Sequence, residues 1–337
     1  AELFPVRVPD YYFNLINKDD PDDPIRKLCL PTGQFALDGG ALDTSGEHGN
    51  TVLQGLQHKY DQTALVLCSG ECAMYCRHCF RRRLAGKATD EVTADVQAVA
   101  RYVREHPSIT NVLLSGGDAL MLPTPKIAEW LAALSCIETL DFIRIGSRIP
   151  VSLPARITQD AALLSILQAT SAEKQLYLVT HFNHPNEITE GAIAAVRALQ
   201  GAGVVVKNQT VLLRGVNDTP DVLGALLAAM TRYGIGQHYI FQCRPVQGVK
   251  SIFQVPLKEG RAIVDAAMNR QNGLGKSAEY TMSHVTGKIN IIGEHNGEML
   301  FKYRQARNKE DLNRIFSLKL ADGQAWLPDD FSSSAAS

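Results

Sequence analysis

The sequence predicts an α/β fold: a partial (β/α)6 barrel with a C-terminal β-rich extension. From Ala64 onward, short apolar, β-branched runs alternate six times with segments of helical period, which implies βαβ units and a parallel sheet. Nearly every apolar run ends in a polar cluster. A layer of such residues at the C-terminal strand ends is how a barrel builds one site at its top face. After residue 271 the pattern changes to β-like runs.

The elements follow in order. Residues 1–60 read as an irregular or helical N-terminal segment, with the Pro/Asp-rich run Lys18–Pro24 as loop and helix cap. The barrel spans 61–271. Its strands are expected at 64–68, 111–115, 142–146, 176–180, 204–213 and 237–243, and its helices at 90–105, 124–135, 158–169, 188–202, 219–233 and 257–270. Helix 188–202 starts at Thr189 beside Glu190, keeps an apolar face, and stops at Gly201 and Gly203. Residues 272–331 form the β-rich extension, with strands at 279–285, 289–292 and 298–303. The serine-rich end, 332–337, reads as a disordered tail.

A chain of 337 residues with 45% apolar content supports a sizeable core. A net charge of −1 gives no electrostatic reason to expect a nucleic acid or a membrane as partner. No apolar run approaches the roughly 18 residues of a membrane span, and no secretory signal opens the sequence. It begins at Ala1 rather than Met, which leaves open what precedes it. Seven cysteines, an odd number without secretory features, point to a reducing cytoplasm.

Three of those cysteines carry the chemistry. Cys72, Cys76 and Cys79 stand at C-x3-C-x2-C spacing in Glu71-Cys-Ala-Met-Tyr-Cys-Arg-His-Cys-Phe80, with no fourth close on the C-terminal side. Three thiolates can hold a [4Fe–4S] cluster and leave one iron open, whereas a cluster that only transfers electrons normally has four protein ligands. The competing reading is zinc, which needs a fourth ligand such as His78 or a distant residue. Cys68 ends the apolar run from Ala64 and reads as a buried structural thiol. Cys29, Cys136 and Cys243 are isolated and read as structural.

This spacing, with His78 just before the last cysteine, resembles the radical S-adenosylmethionine (SAM) superfamily. The stretch Cys72–Gly86 more closely resembles the lysine 2,3-aminomutase family within it. Further segments agree: Leu113–Leu120, Ile143–Val151, Thr180–Ile188 and Asn208–Asp218, in near-constant register from about His58 to Gly248. The resemblance implies a partial barrel of the radical SAM type. It also implies an isomerase that uses SAM, a [4Fe–4S] cluster and pyridoxal 5′-phosphate (PLP) to move an α-amino group to the β-carbon.

The resemblance also implies roles. Ser115, Gly116, Gly117 and Asp118, with His181 and Gln209, meet SAM; small residues let backbone approach a ligand, and Asp118 can accept from a cationic amine. Arg81 clamps the substrate α-carboxylate, as a guanidinium can bidentately. Lys59 and Tyr60 meet PLP. Lys288, one residue after Gly287, is the candidate Schiff-base lysine, and Lys276 is its rival. Each has a plainer reading: a βα turn for Gly116-Gly117, a hairpin turn for Lys288, and a solvated basic patch for Arg77 and Arg81–Arg83. That last reading is expected for Arg83 and not for Arg81. His184, Asn217 and Asp218 suit caps and turns equally well.

The sequence also departs from the family. The second basic residue near PLP is Thr63 here, and the lysine-specific Asp after Gln242-Cys243 is Arg244. A second expected Asp is missing where Ser283 and His284 stand. Inverting charge at a desolvated recognition position is costly, so Arg244 points to an acidic substrate such as glutamate. The family's intersubunit zinc site is not expected, because no Cys follows Cys243 and Thr219 stands at the matching position. Any homo-oligomer would be held differently. An electron donor such as flavodoxin or ferredoxin is expected as partner. Alternatives are a PLP-free radical SAM enzyme acting on another small molecule and a nucleic-acid-binding protein using the arginine cluster.

Overall fold

The computed structural model describes residues 4–31, 39–87, 89–93 and 95–331. The tail expected at 332–337 lies outside them. One sheet of twelve strands, in sequential order, organises the chain. The strands are β1 (Thr51–Leu53), β2 (Leu56–Tyr60), β3 (Thr63–Ser69), β4 (Asn111–Gly116), β5 (Phe142–Gly146), β6 (Gln175–Thr180), β7 (Val205–Leu212), β8 (Gly236–Gln242), β9 (Glu279–His284), β10 (Gly287–His295), β11 (Glu298–Ala306) and β12 (Ile315–Leu318). Strands β3 to β9 run parallel. Antiparallel pairs extend both ends, β1–β2–β3 on one side and β9–β10–β11–β12 on the other.

Two features differ from the sequence expectation. The segment before residue 61 contributes β1 and β2, which the short, half-polar run Leu56-Gln-His-Lys-Tyr60 does not announce. Strand β9 pairs in parallel with β8, so the run expected to open the C-terminal β-rich extension continues the barrel sheet instead. Strand character is legible in residue type, but pairing direction is set by the long connection through the helix Leu257–Met268.

The helices close the outer face. Those at Val96–Glu105, Ala161–Glu173, Glu190–Gly201 and Pro220–Arg232 start on Asp95, Asp160, Thr189 and Thr219, whose side chains accept from Ala98, Leu163, Ala192 and Val222 N–H groups. Such caps contribute about 1 kcal/mol each. Their apolar faces bury Val96, Val99, Val103, Leu163, Leu167, Val196, Leu199, Leu223 and Leu227. Trp130, fully buried on the helix Thr124–Ser135, is the largest side chain of this layer. Its truncation to Ala would cost about 3–5 kcal/mol.

The period of two along the strands sorts residues between two faces. Ala64 and Val66, Val112 and Leu114, Ile143 and Ile145, Leu176 and Leu178 are buried in the apolar core. Their alternates Thr63 and Leu65, Asn111 and Leu113, Phe142 and Arg144, Tyr177 and Val179 line a cavity of about 600 Å³. A closed barrel fills that space with branched apolar side chains. Here polar and aromatic side chains share the lining with Leu65, Leu113 and Val179 and leave the space open. No helix among the described residues is long and apolar enough to cross a membrane.

Candidate active site

The cavity gathers Cys72, Cys76, Cys79, Ser115, Gly116, Gly117, Asp118, His181, Gln209, Arg81, Lys59, Tyr60, Arg244 and Lys288. Lys276 stands outside it, exposed on a short 3-10 turn, Leu274–Lys276.

At one end the cysteine loop leaves β3. Backbone bonds pin it to the N-terminal segment: Tyr75 N donates to Arg7 O at 3.0 Å and Arg77 N to Leu28 O at 2.9 Å. Cys72 and Cys79 pack against Phe4, Tyr75 and Ala85. The three thiols are free. Burial pushes each of them up, Cys79 to about 12, while Arg148 opposes the rise at Cys76. Metal ligation would displace these protons. Among the described residues, no three or more His, Cys, Asp or Glu side chains, the cysteine triplet included, are gathered closely enough to hold a metal ion as they stand. Three half-buried thiols at C-x3-C-x2-C spacing on one loop, all facing the same cavity, are the donor set a three-thiolate cluster takes.

Gly116 and Gly117 serve the scaffold. Gly116 has φ +113°, and a Cβ there would stand 2.2 Å from Ser69 O; one on Gly117 would stand 2.4 Å from Glu71 O. The close approach is to the backbone entering the cysteine loop. Asp118, expected to meet an amine, is already engaged: its carboxylate accepts from Leu120 N at 3.0 Å and Arg148 N at 2.7 Å. Burial raises it to about 6 against those bonds. His181 is held down to about 4 by burial and Arg148, and is therefore neutral. Gln209 Nε2 lies 3.3 Å from His238 Nδ1. His238 faces the cavity beside Tyr239 because the β7–β8 register shifts between Asn208 and Gln209, and such bulges re-aim side chains.

Near Arg81 the structure adds a residue that sequence reasoning missed. Glu47, buried, accepts from Arg81 Nε at 3.1 Å and pairs with Arg81 Nη2 at 3.0 Å; Arg81 Nη1 donates to Ser115 Oγ at 3.0 Å. Arg83 is not solvated as expected: its side chain is 8% exposed and pairs with Glu47 at 2.7 Å and Glu91 at 2.6 Å. Burial would raise the Glu47 carboxyl, but Arg81, Arg83 and Arg244 outweigh it and hold it below the usual range. Arg244 donates to Ser45 Oγ at 2.6 Å, and Arg244 and Arg81 both lie over the Phe80 ring, at 4.2 and 4.6 Å. Burial brings Arg244 down to about 10 despite Glu47.

Lys288 is the second residue of β10, just past a two-residue turn, with Gly287 opposite His284. Its amine lies 4.6 Å from the Tyr239 ring centroid. Burial, then the like charges of Arg144, Arg244, Arg304 and Lys59, bring it down to about 7. The same lobe holds Lys207 and Arg144, whose buried Nε has no partner. Lys59 donates to His284 O at 3.1 Å and is brought to about 8, chiefly by burial; burial also raises the Tyr60 phenol. A near-neutral amine beside Lys59, Arg144 and Lys207, none of them in an ion pair among the described residues, suits a carbonyl cofactor that carries a phosphate. These residues fit PLP. His184, Asn217 and Asp218 serve as caps and turns: His184 Nδ1 accepts from Asn186 N, Asn217 Oδ1 from Leu213 N, and Asp218 Oδ1 from Gly215 N.

Residues 66–223 match the family described as the Radical SAM superfamily, which makes the chain a radical SAM enzyme and implies the [4Fe–4S] cluster and SAM. A putative L-lysine 2,3-aminomutase of Aquifex aeolicus is 40% identical over 98% of this chain and 88% of its own length. The L-lysine 2,3-aminomutase of Clostridium subterminale is 38% identical over 79% of this chain, which spans 63% of that protein. The Escherichia coli L-lysine 2,3-aminomutase is 34% identical over 81% of this chain and 78% of its own. With the cysteine triplet, the parallel sheet and near-full-length likeness in agreement, the chain belongs to the lysine 2,3-aminomutase family of the radical SAM superfamily.

Proposed function

We propose that this protein is a PLP-dependent amino acid 2,3-aminomutase, an isomerase that moves an α-amino group to the β-carbon. The observation that carries the reading is Lys288: an amine brought to about 7, facing the same cavity as the three thiols. When bound, the cluster and SAM supply a deoxyadenosyl radical and PLP supplies the π-system that lets nitrogen migrate. Lys288 would hold PLP, with Lys59 and Tyr60 beside it and Arg144 and Lys207 toward its phosphate. Glu47 and Ser115 fix the Arg81 guanidinium, so that its remaining N–H groups are set for a carboxylate.

The charge of the cavity supports an acidic side chain on the substrate. Glu47 and Asp118 are the acids of its lining, against Lys59, Arg81, Arg144, Arg148, Lys207, Arg244 and Lys288. Arg244 is the residue that would pair with a substrate such as glutamate. The relatives' names supply the second reading, L-lysine. A low-potential one-electron donor such as flavodoxin or ferredoxin would drive the cluster, and any homo-oligomer would form without the family's zinc site.

Anaerobic reconstitution with SAM, dithionite, PLP and a pool of amino acids, read by mass spectrometry, tests the reading. A β-glutamate-type product supports it. β-Lysine as preferred product overturns the acidic substrate, and no β-amino acid at all overturns the aminomutase.

A further inference from the structure

One cluster thiol has a charged partner. Arg148, at the C-terminal end of β5, donates from Nη1 to Cys76 Sγ at 3.0 Å. Its other donors are committed: Nε to His181 O at 3.0 Å and Nη2 to the Glu187 carboxylate and the Tyr12 hydroxyl. Glu187, fully buried, also accepts from Tyr12 Oη at 2.5 Å and, through Oε2, from Asn183 N at 2.6 Å and His184 N at 3.1 Å. The backbone N–H of Arg148 is held by Asp118. The guanidinium therefore has one geometry available, and a permanent positive charge rests against the Cys76 sulfur. Cys72 and Cys79 take no side-chain donor among the described residues.

We propose that Arg148, oriented by Glu187 and Tyr12, is the positioning residue that sets the reduction potential of the cluster. Hydrogen bonds to ligand sulfurs and local charge are the protein's means of tuning such potentials. A guanidinium on a thiolate favours the reduced, more negative state; Glu187 offsets part of that charge. The two residues therefore act with opposite sign. This rests on the three-cysteine cluster reading of the site.

The test is an anaerobic redox titration of the reconstituted full chain without SAM, followed by electron paramagnetic resonance, with iron and sulfide measured on each sample. Arg148→Met should lower the reduced-to-oxidised ratio at a fixed poise about tenfold, a fall of about 59 mV for one electron. Arg148→Gln, which keeps a neutral donor, should fall less, and carries this arm if the Met variant does not retain iron. Glu187→Gln should move the potential upward. Unchanged potentials at full iron content, or Arg148 and Glu187 variants moving the same way, would overturn the proposal alone. A wild-type chain that takes up no iron or sulfide would overturn the cluster reading and the proposal with it.

Discussion

At the cysteine end of the cavity, Arg148 lies against Glu187 and Asp118 is met by backbone N–H groups. At the Lys288 end the cations stand among themselves. Lys288 and Lys207 make no hydrogen bond or ion pair among the described residues, and Arg144 keeps an unpartnered Nε. Burying a charge without a partner is costly, so the second region carries a penalty that an anionic ligand would relieve. The first region builds its charge balance into the scaffold and can stand ready before any cofactor arrives. The difference separates a seat that the chain finishes itself from one that a ligand finishes.

The largest effect that would break this contrast is loss of a thiol. Cys76→Ser should abolish cluster iron and all turnover, while leaving PLP uptake at the far end intact; iron assay and the visible PLP band read the two ends separately. Next, Lys288→Ala should remove the PLP band and leave iron content unchanged. A retained band would return the lysine to the role of a hairpin residue. Glu47→Gln should then raise KM for the amino acid about tenfold, equal to about 1.4 kcal/mol, more than it lowers kcat, with Glu47→Asp partly restoring it.

A smaller effect concerns pH. Folded Lys288 holds its proton only up to about pH 7, against 10.5 for an ordinary lysine. Between those values the unfolded chain binds the extra proton, so stability should rise with pH across that window. Below about pH 7 both states are protonated and the burial penalty is complete. Urea midpoints of the cofactor-free protein should be higher at about pH 9 than at about pH 6, and Lys288→Met should flatten the slope. Lys59, brought to about 8, adds to the same sign higher in the window. The smallest effect is none: Lys276→Ala should leave PLP binding, iron and turnover as they are, because Lys276 stands outside the cavity.

What the residues disclose in order along the chain follows the same division. The cysteine triplet, the polar strand ends and Arg81 are local or periodic signals, and the cavity lining unites them. Glu47 was not legible. It sits in a Gly/Asp-rich stretch without periodicity, and its bond to Arg81 spans 34 residues. Arg83 reads as surface charge because nothing near it in sequence reveals Glu47 or Glu91 as partners. Likewise Ser115-Gly-Gly-Asp118 reads as a ligand-binding turn and lines the cavity, while Gly116 and Gly117 also answer to the backbone of Ser69 and Glu71. Their need for small residues was visible. What approached them was not.

The two-residue turn between β9 and β10 places Lys288 directly across from Ser283 and beside Gln305 of β11. This wall of the cavity is thus a local hairpin whose first strand is the last of the parallel set, remote in sequence from the cysteines. Met282, Ile289 and Ile291 root that hairpin in the main core, so the amine facing the cavity is held as firmly as the sheet itself.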